Sequence, residues 1–168
     1  MADSKKVTID NFNIENINAE YLSWLNDHDV TRYSELRHVK QDYKSAAEYI
    51  SRVYELNNKI FSILAANGEH IGNITLRFDN YNLNVDFSIL IGNKDYWGKG
   101  YARYALNEVL DWLRQDTNMK YITAGTMKLN IPMIKVFKSL GFDLDGARKN
   151  YFKFGNSRVD LLLFKKEI

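Results

Sequence analysis

The chain reads as an α/β (α+β) protein: a mixed, mostly antiparallel central sheet with helices on both faces. Three features predict this. Hydrophobic periodicity runs strand, two helices, three strands, helix, strand, helix, then two or three strands. Short turns join the three central strands into an antiparallel meander. Each helix carries a single apolar stripe, and helices covering both faces of a sheet bury such stripes best.

Val7-Thr8-Ile9-Asp10 alternates and forms the first strand. Tyr21, Leu22, Trp24 and Leu25 give a short helix over 18–25, ended by Asn26-Asp27-His28-Asp29. Residues 31–41 are polar with interspersed aromatics and read as a helical turn plus loop. Asp42 caps a helix running through Tyr54, with Ser45 and Glu48 offering a second capping register. Its stripe is Ala46, Tyr49, Ile50 and Val53. Strands follow at 60–65, 71–78 and 83–91, with Asn67-Gly68 and 79–82 as turns and His70 facing solvent beside the first. From Gly100 a helix buries Ala102, Ala105, Leu106, Val109 and Leu113. A short strand lies at 121–124, Pro132 opens a helix that ends at Gly141, and Phe142 starts the final strands. Gly155-Asn156-Ser157 separates the last two segments. No repeat or linker divides the chain, so one domain spans 1–168.

Composition narrows the chemistry. Of 168 residues, 45% are hydrophobic and 14% aromatic, enough to build a core and exclude a disordered chain. The absence of cysteine excludes disulfides, thiolate catalysis and Cys-ligated metal, and fits a reducing, cytoplasmic setting. The 23 basic and 21 acidic residues leave a net charge of +2, too little for a counterion-driven grip on nucleic acid. Residues 1–7 lack the apolar run of a signal peptide, and no stretch is long enough to span a bilayer. His28, His38 and His70 have no metal-ligand spacing.

Gly98 and Gly100 bracket Lys99 between a strand and an amphipathic helix. Glycine admits positive φ and close backbone approach, and the helix start presents unpaired N–H groups, so the segment suits a diphosphate. It lacks the third glycine and downstream acid of a dinucleotide fold and the Gly-Lys-Ser/Thr of a P-loop. Residues 90–105, with the core Trp97-Gly98-Lys99-Gly100-Tyr101-Ala102, resemble the acetyl-CoA pyrophosphate loop of the GCN-related N-acetyltransferases (GNAT), in the RimJ/RimL-like branch. Residues 130–142, from Asn130 to Gly141-Phe142, are similar to that family's N-x(10)-G-F ending.

The resemblance implies a GNAT-like fold, acetyl-CoA as cofactor and direct transfer of acetyl to an amine in a ternary complex. It implies that the main chain of Phe87, Ser88, Ile89, Leu90 and Ile91 leaves its neighbour strand and binds the pantetheine arm. Amides of Trp97, Gly98, Lys99, Gly100, Tyr101 and Ala102 would hold the diphosphate, with Asn130 and Phe137 lining the cofactor. Two positions depart from the family. Asp95 replaces its usual Gln or Arg, and Phe137 stands where many members carry a proton-donating tyrosine.

Acetylation needs a neutral amine, hence a base. Asp86 is the first candidate, on the polar face of its strand with Asn84 and Ser88, and the resemblance also places an acid there. Glu35 is the second and His38 the third. The 21–27 segment, which includes Trp24, resembles RimJ/RimL-like enzymes that acetylate nucleotide-linked aminosugars. Trp24, Tyr33 and Arg37 are accordingly expected to bind the acceptor, with Arg37 on a phosphate. A nucleotide-linked aminosugar is the leading small-molecule acceptor. A protein N-terminus is the alternative, and a non-catalytic acyl-CoA-binding role the third reading. A homodimer through the terminal strands is the family-like assembly.

Overall fold

The computed structural model describes residues 6–168, so the reading of 1–7 as lacking a leader lies mostly outside the described residues. Seven strands form one sheet in the order β1-β2-β3-β4-β5-β7-β6. They are β1 (Val7–Asn11), β2 (Lys59–Ala65), β3 (His70–Asp79), β4 (Asn84–Ile91), β5 (Tyr121–Met127), β6 (Asp143–Phe154) and β7 (Ser157–Glu167). All neighbours are antiparallel except β4 and β5. The mixed, mostly antiparallel sheet with helices on both faces is as the sequence predicts.

The helices are α1 (Ala19–Asn26), α2 (His28–Thr31), α3 (Tyr43–Glu55), α4 (Tyr101–Asp116) and α5 (Ile131–Ser139). On one face α1 and α3 bury Tyr21, Trp24, Leu25, Ala46, Ile50 and Val53 with Phe12 and Ile60. On the other, α4 supplies Ala105, Leu106, Val109 and Leu113, and α5 supplies Phe137, over Val85, Phe87 and Ile122. Asp42 caps α3 in a reciprocal arrangement with Ser45, the first of the two capping registers. Asn18 accepts from the Tyr21 amide and sets the start of α1.

The structure departs from expectation in three places. Residues 28–31 form a helical turn, because the Asp27 carboxylate accepts from the Asp29 and Val30 amides and starts a helix where the sequence suggested only an ending. β5 continues to Met127, three residues beyond 124, because β7 pairs with its whole length. His70 is half-buried rather than solvent-facing. Its ring lies 5.0 Å from Trp24 and 5.3 Å from Phe12, and Nε2 is 2.9 Å from the Gly72 carbonyl oxygen. Burial lowers its pKa by disfavouring the charged ring.

The junction after β4 has no spare space. A Cβ on Gly92 would lie 2.0 Å from the Trp24 ring, so the indole occupies the volume a side chain would need. Gly92→Ala should therefore lower the unfolding free energy by about 1–3 kcal/mol, in the range of core overpacking. Denaturant titration checks this, and an unchanged midpoint would show that Trp24 can retreat at little cost.

Candidate active site

β4 pairs with β3 along its length, from Asp79↔Asn84 to Gly72↔Ile91. It pairs with β5 only at Asn84↔Tyr121, Val85↔Ile122 and Asp86↔Thr123. Beyond Asp86, β5 stays with β7, so among the described residues the β5-facing main chain of Phe87 to Ile91 has no strand partner. Phe87 turns its ring into the core, Ile89 and Ile91 pack against the same core, Leu90 packs against the other, and Ser88 is exposed. What the divergence leaves open is therefore backbone.

The next turn supplies donors. Gly98 has φ +69° and Gly100 φ +85°, so both lie in the left-handed region. Gly100 is the N-cap of α4 and brings no side-chain cap. The N–H groups of Tyr101, Ala102 and Arg103 consequently lack intrahelical acceptors and carry the positive end of the helix dipole. A Cβ on Gly98 would meet no atom within 4 Å, whereas one on Gly100 would touch the Tyr104 ring at 3.4 Å. Lys99 is exposed, and the Trp97 indole donates to the Ile91 carbonyl at 2.8 Å, tying the turn to the end of β4. An open, donor-rich turn beside a partnerless strand fits a diphosphate on an extended arm.

Asp86 sits at the point of divergence. The Thr123 hydroxyl donates to it at 3.2 Å, and Arg77 reaches its other oxygen at 3.5 Å and Ser88 Oγ at 3.4 Å. Desolvation raises its pKa above the usual carboxylate range, while Thr123 and Arg77 oppose the shift. With 52% of the side chain still open, solvent tempers the effect. Arg77 was not singled out from the sequence, although counting back across the 79–84 turn pairs it with Asp86.

Glu35 and His38 form a separate group. Glu35 meets Arg37 at 2.9 Å and His38 at 3.8 Å, and no hydrogen bond or ion pair joins them to Asp86 among the described residues. Arg37 is not poised for a phosphate. Its guanidinium donates to the Ser34 and Lys153 carbonyls, lies over the Phe154 ring, and is only 9% exposed. It pins the 35–38 turn to the β6–β7 hairpin. Tyr33 stacks on Phe154 and has the Arg32 guanidinium over its ring, so it forms part of a wall more than an open platform.

Two further candidate side chains lie in the core. Trp24, expected at the acceptor, is 6% exposed and fills the space beside Gly92. Phe137, expected to line the cofactor, is 1% exposed, with ring centroids 5.9, 5.4 and 4.7 Å from Phe87, Phe142 and Phe164. Asn130 caps α5 by accepting from the Met133 amide and donates to Thr126 Oγ1, so both ends of its amide are engaged. Among the described residues no group of three or more His, Asp or Glu is arranged for a metal, and no helix is long and apolar enough to cross a membrane.

Residues 6–143 match the acetyltransferase (GNAT) domain family, and the chain belongs to it. Acetyl-CoA is that family's acyl donor. Over 167 residues, 96% of this chain and 92% of the relative, it is 25% identical to an uncharacterized N-acetyltransferase p20 of Bacillus licheniformis. Its fold matches RimL, a ribosomal L7/L12 alpha-N-protein acetyltransferase solved with coenzyme A, at TM-score 0.85, 13% identity and coverage of 98% and 96% of the two chains. It also matches spermidine N-acetyltransferase from Vibrio cholerae, solved with CoA and spermine, at TM-score 0.82, 18% identity and coverage of 96% and 95%.

Phe137→Leu should act on packing alone. Loss of ring contacts should lower stability by about 1–3 kcal/mol, with the pH dependence of turnover unchanged. A titrating limb that vanished with the ring would contradict the core assignment.

Proposed function

We propose that this chain transfers acetyl from acetyl-CoA to a primary amine held over the open face of β4 and β5, with Asp86 as the base. The observation that carries this reading is the position of Asp86, a carboxylate of raised pKa at the last shared pair of two diverging strands. Bound acetyl-CoA supplies an activated thioester. The residues that would hold it are the β5-facing main chain of 87–91 and the amides of 97–102, with the left-handed Gly98 and Gly100 leaving room for phosphate. Asp86 accepts the amine's proton, directly or through one water, and Arg77 and Thr123 fix its orientation. Phe137 has no proton to give, so water or another side chain protonates the departing thiolate. Glu35 and His38 are the reserve bases.

Of the acceptor classes the sequence leaves open, a protein amino terminus has the better support. The nucleotide-linked aminosugar reading rests on the resemblance of residues 21–27 and assigns Arg37 to the phosphate, and that guanidinium is engaged by Ser34, Lys153 and Glu35. The likeness to RimL adds support for an α-amino acceptor. The proposal includes a cytoplasmic location, action as one domain, and a homodimer covering Leu144 and Tyr151 of β6, which are 61% and 48% exposed. Release of free CoA, followed with N-terminal peptides, nucleotide-linked aminosugars and polyamines, tests the acceptor. Peptides should give turnover. Release with aminosugars alone would overturn the acceptor class, and release with none would favour the non-catalytic reading.

Gly100→Val should weaken acetyl-CoA binding at least about tenfold, because a branched residue is strained at positive φ and crowds the phosphate space. Calorimetry showing unchanged affinity would remove the turn from the site.

Asp86→Asn should lower turnover about 10²-fold or more with coenzyme affinity nearly intact. Wild-type kcat/KM should fall as pH drops through a limb lying above the ordinary aspartate value of about 3.9, and the variant should lack that limb. The linkage has the opposite sign for stability. Folding raises this pKa, so the contribution of Asp86 to stability is full below the unfolded value and is lost as pH rises through the folded one. Near neutral pH the variant's Tm should therefore hold or rise. Matching pH profiles would take Asp86 out of the mechanism.

A further inference from the structure

The glycine turn is fastened to the rest of the molecule by exposed polar contacts on both sides. On one side Glu69, from the β2–β3 turn, accepts from Asn93 Nδ2 at 2.8 Å and from the Tyr96 hydroxyl at 2.5 Å. On the other side Lys94, in the helical turn Lys94–Tyr96, donates to Asp27 Oδ2 at 2.8 Å and to Asp29 Oδ2 at 2.9 Å. Both partners belong to α2: Asp27 is its N-cap and Asp29 lies in its first turn. The Lys94 hydrogen bond is the main reason the Asp27 carboxyl titrates below its ordinary value.

Their location gives these contacts a consequence. α2 leads directly into Tyr33 and the 35–38 turn, which Arg37 pins to the β6–β7 hairpin through Lys153 and Phe154. The glycine turn is thus tied through Lys94 to α2, and the residues that follow α2 are tied by Arg37 to the β6–β7 hairpin. Exposed ion pairs of this kind add little to stability. Lys94 reaches across 65 residues of sequence to Asp29 and joins two segments that share no strand ladder.

We propose that Lys94 is a positioning residue that couples coenzyme binding to the order of residues 28–38, so that occupancy of the glycine turn steadies the segment that Arg37 ties to the β6–β7 hairpin. The inference rests on the coenzyme reading above. Phosphate oxygens on the 97–102 amides restrict the turn, and Lys94 passes that restriction to Asp27 and Asp29. By linkage, any ligand that steadies residues 28–38 tightens coenzyme binding by the same factor.

Hydrogen exchange on the full chain with and without acetyl-CoA tests this and needs no acceptor. In wild type, acetyl-CoA should slow exchange at 98–103 and also at 28–38, the latter by about fivefold or more. Lys94→Met should keep the protection at 98–103 and lose it at 28–38, while Lys94→Arg should keep both. A purely structural role predicts a lower Tm with the two protections still linked. The inference is overturned if wild type is protected at 98–103 alone, or if Lys94→Met still protects 28–38. Absence of protection at 98–103 in wild type would instead overturn the coenzyme reading, and this inference with it.

Discussion

After Asp86 pairs with Thr123, β4 remains hydrogen-bonded to β3 and β5 to β7, and the gap opening between them is the constraint on which the rest of the site depends. A buried strand edge would leave peptide groups unsatisfied at considerable cost, so such an edge persists only where solvent or a ligand reaches it. Here it is followed within a few residues by the turn at Gly98 and Gly100 and the N-terminus of α4, which present further donors. Acceptors, donors and a carboxylate thus lie along one line because one parallel pair is short.

Packing holds the divergence in place. On the helix side, Phe87, Phe137, Phe142 and Phe164 form a cluster at the level where the strands part, filling volume that would otherwise let them close. On the β3 side the two backbones are too close for a side chain, since a Cβ on Gly72 would lie 2.2 Å from the Leu90 carbonyl oxygen. β4 therefore cannot shift toward β3, and the aromatic cluster occupies the space beneath β5. The Phe137 ring belongs to this cluster, which accounts for its burial.

Features set by local chemistry were legible in the sequence. Asp42 starts α3, Gly100 marks the start of α4, and alternation along β4 separates Val85 and Phe87 from Asp86 and Ser88. What the sequence hid depends on partners far away along the chain. Arg37 looks like an anion clamp among its neighbours and becomes a pin only when the carbonyl of Lys153, 116 residues later, arrives beside it. Trp24 looks like a ligand platform until Gly92 vacates the space its ring fills. His70 reads as a turn residue until α1 brings Tyr21 and Trp24 over it. Lys94 gave no signal at all, because its meaning lies in two aspartates on another element.

The short parallel pair also bears on how the chain assembles. β2, β3 and β4 follow one another through tight turns, so their ladders close small loops. Joining β4 to β5 requires the crossover through α4, and β7 must then pair along the whole of β5. Loop-closure entropy rises with the length enclosed, and non-local pairing is met only after that cost. A nascent chain that has formed β1 to β4 already holds Asp86 and its Arg77 partner, yet it has no cleft. The cleft exists only once β5 arrives and then turns away.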